Sequence, residues 1–336
     1  MKTSSLPVAA KVDAVAQVPT GHPSIALALG GGGARGLAHI AMLEAFDELG
    51  VKPSIISGTS IGAIYGAAYA SGISGKELRE HTKMVLSQRF ALLRDLFNVR
   101  AQPLQRLFNL FSAPSALLDP AALLEVVLPK SVPADFAELK IPLKIVASDF
   151  YDQEPLVFEQ GALRTAIAAS MALPVIFQPV VVDGRALIDG GLTNPLPFDL
   201  LTGLADVVVA IDVSGTPIPD AKRATPTAFE ALFASAFVFE HSIVKEKLKS
   251  RQPDIFISGG TNKFQVLDFL KCDEVLAAAE PAKEKLKAQL ARILSVETLP
   301  QIAHEAPLAL IASTQAAAPK KKRRGLLKRR SKRTAT

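Results

Sequence analysis

The sequence predicts an α/β fold, a largely parallel central sheet flanked by helices. Its first apolar run, residues 24–29, ends in four glycines and passes into a helical pattern. The same order of strand, tight turn and helix recurs at once over residues 54–70. Such units in succession build parallel sheets, because each helix carries the chain back before the next strand begins.

Residues 24–29 read as a buried strand entering a tight turn. A helical pattern follows over 37–49, with Ile40, Leu43 and Phe46 on one side and Gly50 as its stop. Residues 54–57 form the second strand, and 61–70 the second helix, stopped by Gly72. From about 76 to 128 the pattern is helical, with apolar clusters at Phe90, Leu93, Leu96, Phe97 and at Leu104, Leu107, Phe108, Phe111. Strands return at 143–147, 156–158, 180–182 and 207–213, and helices at 227–249 and 273–294.

A chain of 336 residues, 49% hydrophobic and 21% charged, can bury a sizeable core and is not a disordered polymer. No Gly/Ser-rich or Pro-rich linker divides residues 22–295, which are expected to form one domain. Residues 1–21 read as a flexible leader, since Lys11 and Asp13 interrupt any apolar signal segment. Residues 296–336 read as a C-terminal extension ending in a disordered polybasic tail. The lone Cys272 permits no internal disulfide or zinc cluster, which fits a reducing, cytoplasmic setting. The longest uncharged stretch, 53–75, is rich in Gly and Ser and is not expected to span a membrane. The net charge of +6 is uneven: ten Lys and Arg residues lie between Lys320 and Arg333. The remainder holds 28 basic against 32 acidic side chains, so the basicity belongs to the tail.

Chemistry concentrates at two glycine-rich turns and one aspartate. Gly58-Thr59-Ser60-Ile61-Gly62 follows a strand and precedes a helix, the setting of a nucleophile elbow. Small flanking residues permit the sharp turn, and the helix N-terminus favours developing negative charge. Taken alone, the motif equally suits a structural serine. Gly30 to Gly36, GGGGARG, lets backbone N–H groups converge on an anion. Gly31, Gly33 and Gly36 also satisfy a dinucleotide-binding spacing. That reading requires an acidic residue at the next strand end, where Ser57-Gly58-Thr59-Ser60 stands instead. An oxyanion-binding loop beside a serine nucleophile meets the two main needs of acyl transfer. For the base, none of His22, His39, His81, His241 and His304 sits in a turn of small residues. Asp189 opens DGGLTNP directly after the apolar Ala186, Leu187 and Ile188, a strand end with glycines that permit close approach.

Together GGGGARG, GTSIG, the segment ASMALPVIFQPV (169–180) and DGGLTNP (189–195) resemble the patatin-like phospholipase family in order and spacing. PDI (253–255) and LDF (267–269) are similar to its smaller bacterial members, and the resemblance covers roughly residues 22–293. It implies a three-layer patatin-like fold and a Ser–Asp dyad, with Ser60 as nucleophile and Asp189 as general base. It further implies an oxyanion hole of the Gly31, Gly32 and Gly33 N–H groups with Arg35 beside it. Gly36, Gly58, Gly62, Gly190 and Gly191 are the motif glycines. The implied reaction is hydrolysis of a lipid or other acyl ester through an acyl-enzyme, with no metal or organic cofactor. Two alternatives stay open: an α/β-hydrolase triad of Ser60, Asp189 and His241, and a non-catalytic lipid-binding regulator. Residues 90–111 suit a lid or an ordinary helical layer. The tail from Lys320 to Arg333 suits anionic membrane, at the inner membrane surface, or plain solvation, with nucleic acid the less favoured partner. Nothing in the sequence sets an oligomeric state.

Overall fold

The computed structural model describes residues 23–88, 118–215, 225 and 228–295, all within the unit Met1–Glu297. The expected leader, the apolar clusters of 90–111 and the basic tail lie outside the described residues. Eight strands form one sheet: β1 Ile25–Leu29, β2 Ile55–Thr59, β3 Leu143–Asp149, β4 Pro155–Phe158, β5 Val180–Val182, β6 Arg185–Asp189, β7 Val207–Asp212 and β8 Ile255–Ser258. The hydrogen-bonded order is β5-β6-β3-β2-β1-β7-β8, with β4 also paired to β3. The central pairings β3-β2-β1-β7-β8 are all parallel, while β4, β5 and β6 are antiparallel to their partners.

The described helices are α1 Ala38–Glu48, α2 Ile61–Ala70, α3 Gly75–Gln88, α4 Pro120–Val127, α5 Leu163–Ser170, α6 Ala228–Ser250 and α7 Cys272–Ser295. Alternation along β1 sets the layers, because successive side chains point to opposite faces of a sheet. Ile25, Leu27 and Leu29 pack in the large core with α1, α2 and α7, through Met42, Phe46, Tyr69 and Leu286. Ala26 and Ala28 face the other way, where their small size admits Leu196, Phe198, Leu201 and Val244 of α6. The result is helix, sheet, helix, the three-layer arrangement expected from the sequence.

β8 was not expected from the sequence. It is a four-residue strand whose Ile255 and Ile257 are buried, too short to show a clear period. Its attachment is tertiary: Asp254 Oδ2 accepts the Val208 N–H at 2.7 Å, locking β8 beside β7. No helix among the described residues is long and apolar enough to cross a membrane.

Candidate active site

The register of β3 brings the two key turns together. Thr59, the last residue of β2, is opposite Val146, and Asp189, the last residue of β6, is opposite Ala147. β4 pairs along both Val146 and Ala147, so it occupies the other edge of β3. β2 and β6 therefore run toward each other along one edge and meet end to end. Ser60 and Asp189 are the residues at that meeting point.

Ser60 turns the chain from β2 into α2 with φ 55° and ψ −121°, outside the ordinary regions for a residue with a side chain. Such strain costs about 1–3 kcal/mol and persists only where the surroundings impose it. One constraint is Gly62, where a Cβ would lie 2.2 Å from Leu29 O and 2.8 Å from Gly30 O. Only glycine lets the first turn of α2 cross the end of β1 so closely. A second is Ser170, fully buried at the end of α5, whose Oγ accepts the Ser60 N–H at 2.8 Å.

The Ser60 hydroxyl donates to Asp189 Oδ2 at 2.7 Å, and Asp189 Oδ1 accepts the Gly191 N–H at 2.8 Å. Burial raises the Asp189 carboxyl from its ordinary value to about 6, against the lowering effect of those two hydrogen bonds. Hydroxyls clamp the aspartate loop to the sheet. Ser148 Oγ donates to Asp189 O, Thr59 Oγ1 to Asn194 O and Ser57 Oγ to Pro197 O, each within 2.9 Å. Gly190 passes so near β3 that a Cβ would lie 2.1 Å from Val146 O. Gly58 packs in the same manner on Gly62 and Ala63, and Gly36 on Ile61.

The glycine loop lies beside the serine: a Cβ on Gly31 would be 3.5 Å from Ser60 Cβ. Its N–H groups are not equivalent. Gly31 N–H already donates to Pro195 O at 2.9 Å, which corrects the expectation that all three glycines offer free donors. The Gly32 and Gly33 N–H groups donate no backbone hydrogen bond among the described residues, and both glycines line the pocket at Ser60. Below them, His39 Nε2 donates to Gly30 O at 2.9 Å, and burial lowers that imidazole to about 4, keeping it neutral. Arg35 also departs from expectation. Its guanidinium is buried behind the loop, with Nε donating to Phe264 O and its carbon 5.7 Å from the Phe237 ring centre. It does not line the pocket.

His241 lies on α6 as an exposed side chain and does not line the pocket, so the Ser–Asp–His alternative lacks its imidazole. Among the described residues, Asp189 receives its side-chain hydrogen bonds from Ser60 and Gly191. From Ser60 an apolar pocket extends between α2, α3 and α4, walled by Ile64, Tyr65, Leu78, Val85, Leu123 and Phe177. Phe237 and Glu240 of α6 complete it near Asp189. Sequence reasoning missed Ser148, Ser170 and Glu240. Ser170 lay within a segment singled out as ASMALP, but Glu240 carried no local signal.

A family model described as patatin-like phospholipase matches residues 27–202, from β1 through the loop that carries Asp189. The chain belongs to the patatin-like phospholipase family. It is 35% identical over 207 residues to an uncharacterized NTE family protein of Mycobacterium tuberculosis, covering 61% of this chain and 53% of that one. The chain thus spans about half the length of that relative. It is 32% identical over 202 residues to patatin-like phospholipase domain-containing protein 7 of Rattus norvegicus, covering 59% of this chain and 14% of that protein. Among solved structures, VipD from Legionella pneumophila aligns with a TM-score of 0.42 at 15% identity, over 80% of this chain and 67% of that one. In this patatin-like chain the matched segment holds both members of the Ser60–Asp189 pair.

Proposed function

We propose that the protein is a serine esterase that cleaves carboxylic esters of phospholipids or related lipids through an acyl-enzyme on Ser60. The observation that carries this reading is the 2.7 Å hydrogen bond from Ser60 Oγ to Asp189 Oδ2, two residues that line an apolar pocket. A carboxylate is ordinarily a weak base near neutral pH. Burial strengthens this one, while a carboxyl near 6 is still ionised at pH 7.

In the first half-reaction Ser60 Oγ attacks the ester carbonyl as its proton passes to Asp189 Oδ2. Negative charge develops on the carbonyl oxygen, and the Gly32 and Gly33 N–H groups are the donors available to hold it. The carbon–oxygen bond to the alcohol then breaks, and Asp189 returns the proton to the leaving oxygen. In the second half-reaction water attacks the acyl-enzyme, with Asp189 again accepting a proton and Ser60 leaving as its hydroxyl. Apolar walls from α2, α3 and α4 suit a hydrocarbon acyl chain, which supplies binding energy remote from the reacting centre.

The test is hydrolysis of short- and long-chain p-nitrophenyl esters and a phospholipid panel by wild type, Ser60→Ala and Asp189→Asn. Loss of activity in both folded variants is expected, with long chains preferred. Activity that survives Ser60→Ala would sink the reading.

A further inference from the structure

The α6 wall of the pocket carries a carboxyl that the dyad does not use. Glu240 is 3% exposed and lines the same pocket as Ser60 and Asp189. Among the described residues its side chain forms no hydrogen bond and no ion pair. Its Oε1 lies 2.6 Å from the point a Cβ on Gly191 would occupy, and Asp189 Oδ1 lies 3.1 Å from that same point. The two carboxyls thus converge on the side of Gly191 where a Cβ would sit. A buried carboxyl without a partner is costly, and the cost is relieved when a ligand supplies one. Arg35, the nearby cation, donates its Nε to Phe264 O, and its buried Nη1 makes no hydrogen bond to Glu240 or to any other described residue.

We propose that Glu240 is a substrate-contacting residue whose carboxyl hydrogen-bonds the alcohol side of the ester held at Ser60. This rests on the esterase reading above and extends it to the leaving group. In that reading the leaving oxygen must come within reach of Asp189 to receive its proton, and Glu240 is the polar side chain next to Asp189. The acyl side is served by the apolar walls of α2, α3 and α4, where Glu240 has no part.

The protonation state suits the task. Burial pushes Glu240 well above the ordinary carboxylate range, Asp189 and Asp212 push it further, and Arg35 opposes them. These are the charged groups that face it: Asp189 at the end of β6, Arg35 in the turn before α1, and Asp212 at the end of β7. Burial thus favours the neutral form of Glu240. In that form it donates one O–H to an uncharged oxygen and adds no negative charge beside the base.

The experiment compares kcat/KM against pH for wild type, Glu240→Gln and Glu240→Leu, on a glyceryl monoester and a p-nitrophenyl ester of one acyl chain. A p-nitrophenolate departs without support, whereas a glyceryl alkoxide does not. Glu240→Leu is expected to lose about tenfold more on the glyceryl ester than on the p-nitrophenyl ester, the worth of one neutral hydrogen bond. Glu240→Gln, which retains a donor, is expected to recover most of that selectivity. Wild type is expected to lose rate at alkaline pH as Glu240 ionises, and Glu240→Gln is expected not to. Thermal melting and fluorophosphonate labelling of Ser60 establish that each variant is folded, and if the Leu variant is not, the pH profile of the Gln variant decides. Unchanged ester selectivity in folded Glu240→Leu, or a wild-type alkaline limb in Glu240→Gln, would overturn the inference while the dyad stands. A wild type that hydrolyses neither ester overturns the esterase reading and this inference together.

Discussion

Ser60 Oγ lies 2.7 Å from Asp189 Oδ2 across 129 positions of chain, because β2 and β6 end on adjacent residues of β3. The pair is therefore held by the sheet itself rather than by mobile side chains. Its chemistry should respond to the environment of Asp189 more than to any local feature of the serine turn.

The first consequence concerns pH. Asp189 works as a base only when ionised, and burial raises its carboxyl to about 6. The acid limb of kcat/KM for an uncharged ester should rise with pH through about 6 and then level off. Asp189→Asn should lower the plateau by roughly 100- to 10,000-fold, the usual worth of a general base. A flat pH–rate profile from pH 5 to 8 would contradict this role.

Stability should move in the opposite sense. A folded-state value near 6 lies above the unfolded value of 3.8, so the folded state binds the Asp189 proton more tightly. That contribution is complete below the unfolded value and is lost as pH rises through about 6. Asp189→Asn should thus melt higher than wild type at pH 8 but gain little at pH 4. The gain is bounded at about 3 kcal/mol by the size of the shift. Calorimetry at both pH values is the check, and equal gains at the two would refute the cause.

The glycines should separate into two groups on substitution. A Cβ on Gly31 meets nothing closer than 3.5 Å, and its nearest neighbour is Ser60. Gly31→Ala should fold normally and lose roughly 10- to 100-fold in kcat/KM by crowding the nucleophile. A Cβ on Gly62 would sit 2.2 Å from Leu29 O, so Gly62→Ala should be destabilised by at least about 1–3 kcal/mol. Melting curves and rates for the two variants make the comparison.

Ser170 offers a test of the strained elbow. Ser170→Ala removes the buried acceptor of the Ser60 N–H, at a cost of about 1–3 kcal/mol for an unpaired buried donor. The expected kinetic effect is a lower kcat with little change in KM, since no substrate contact is lost. A change confined to KM would argue that Ser170 touches substrate instead.

The segment between Lys320 and Arg333 carries ten Lys and Arg residues and is proposed to bind anionic lipid, each worth about 1 kcal/mol near such a surface. Removing it should reduce sedimentation with phosphatidylserine vesicles and leave hydrolysis of a soluble ester unchanged. Equal sedimentation of the two forms would exclude the membrane role.

Much of the site was legible in the sequence because its motifs are short-range steric statements. A strand that must turn sharply into a helix needs small residues on both sides of Ser60, and GTSIG records that need locally. The same holds for GGGGARG and DGG, where the chain passes close to other backbone. Tertiary structure alone decided which donors are free: Gly31 is engaged by Pro195, 164 positions later, and Gly32 and Gly33 are not. It also removed Arg35 and His241 from the pocket and brought Glu240 into it. The basicity of Asp189 follows from desolvation by elements distant in the chain. Local sequence encodes the backbone turns that short-range sterics demand, whereas hydrogen-bond occupancy and proton affinity depend on burial, which only the packed fold creates.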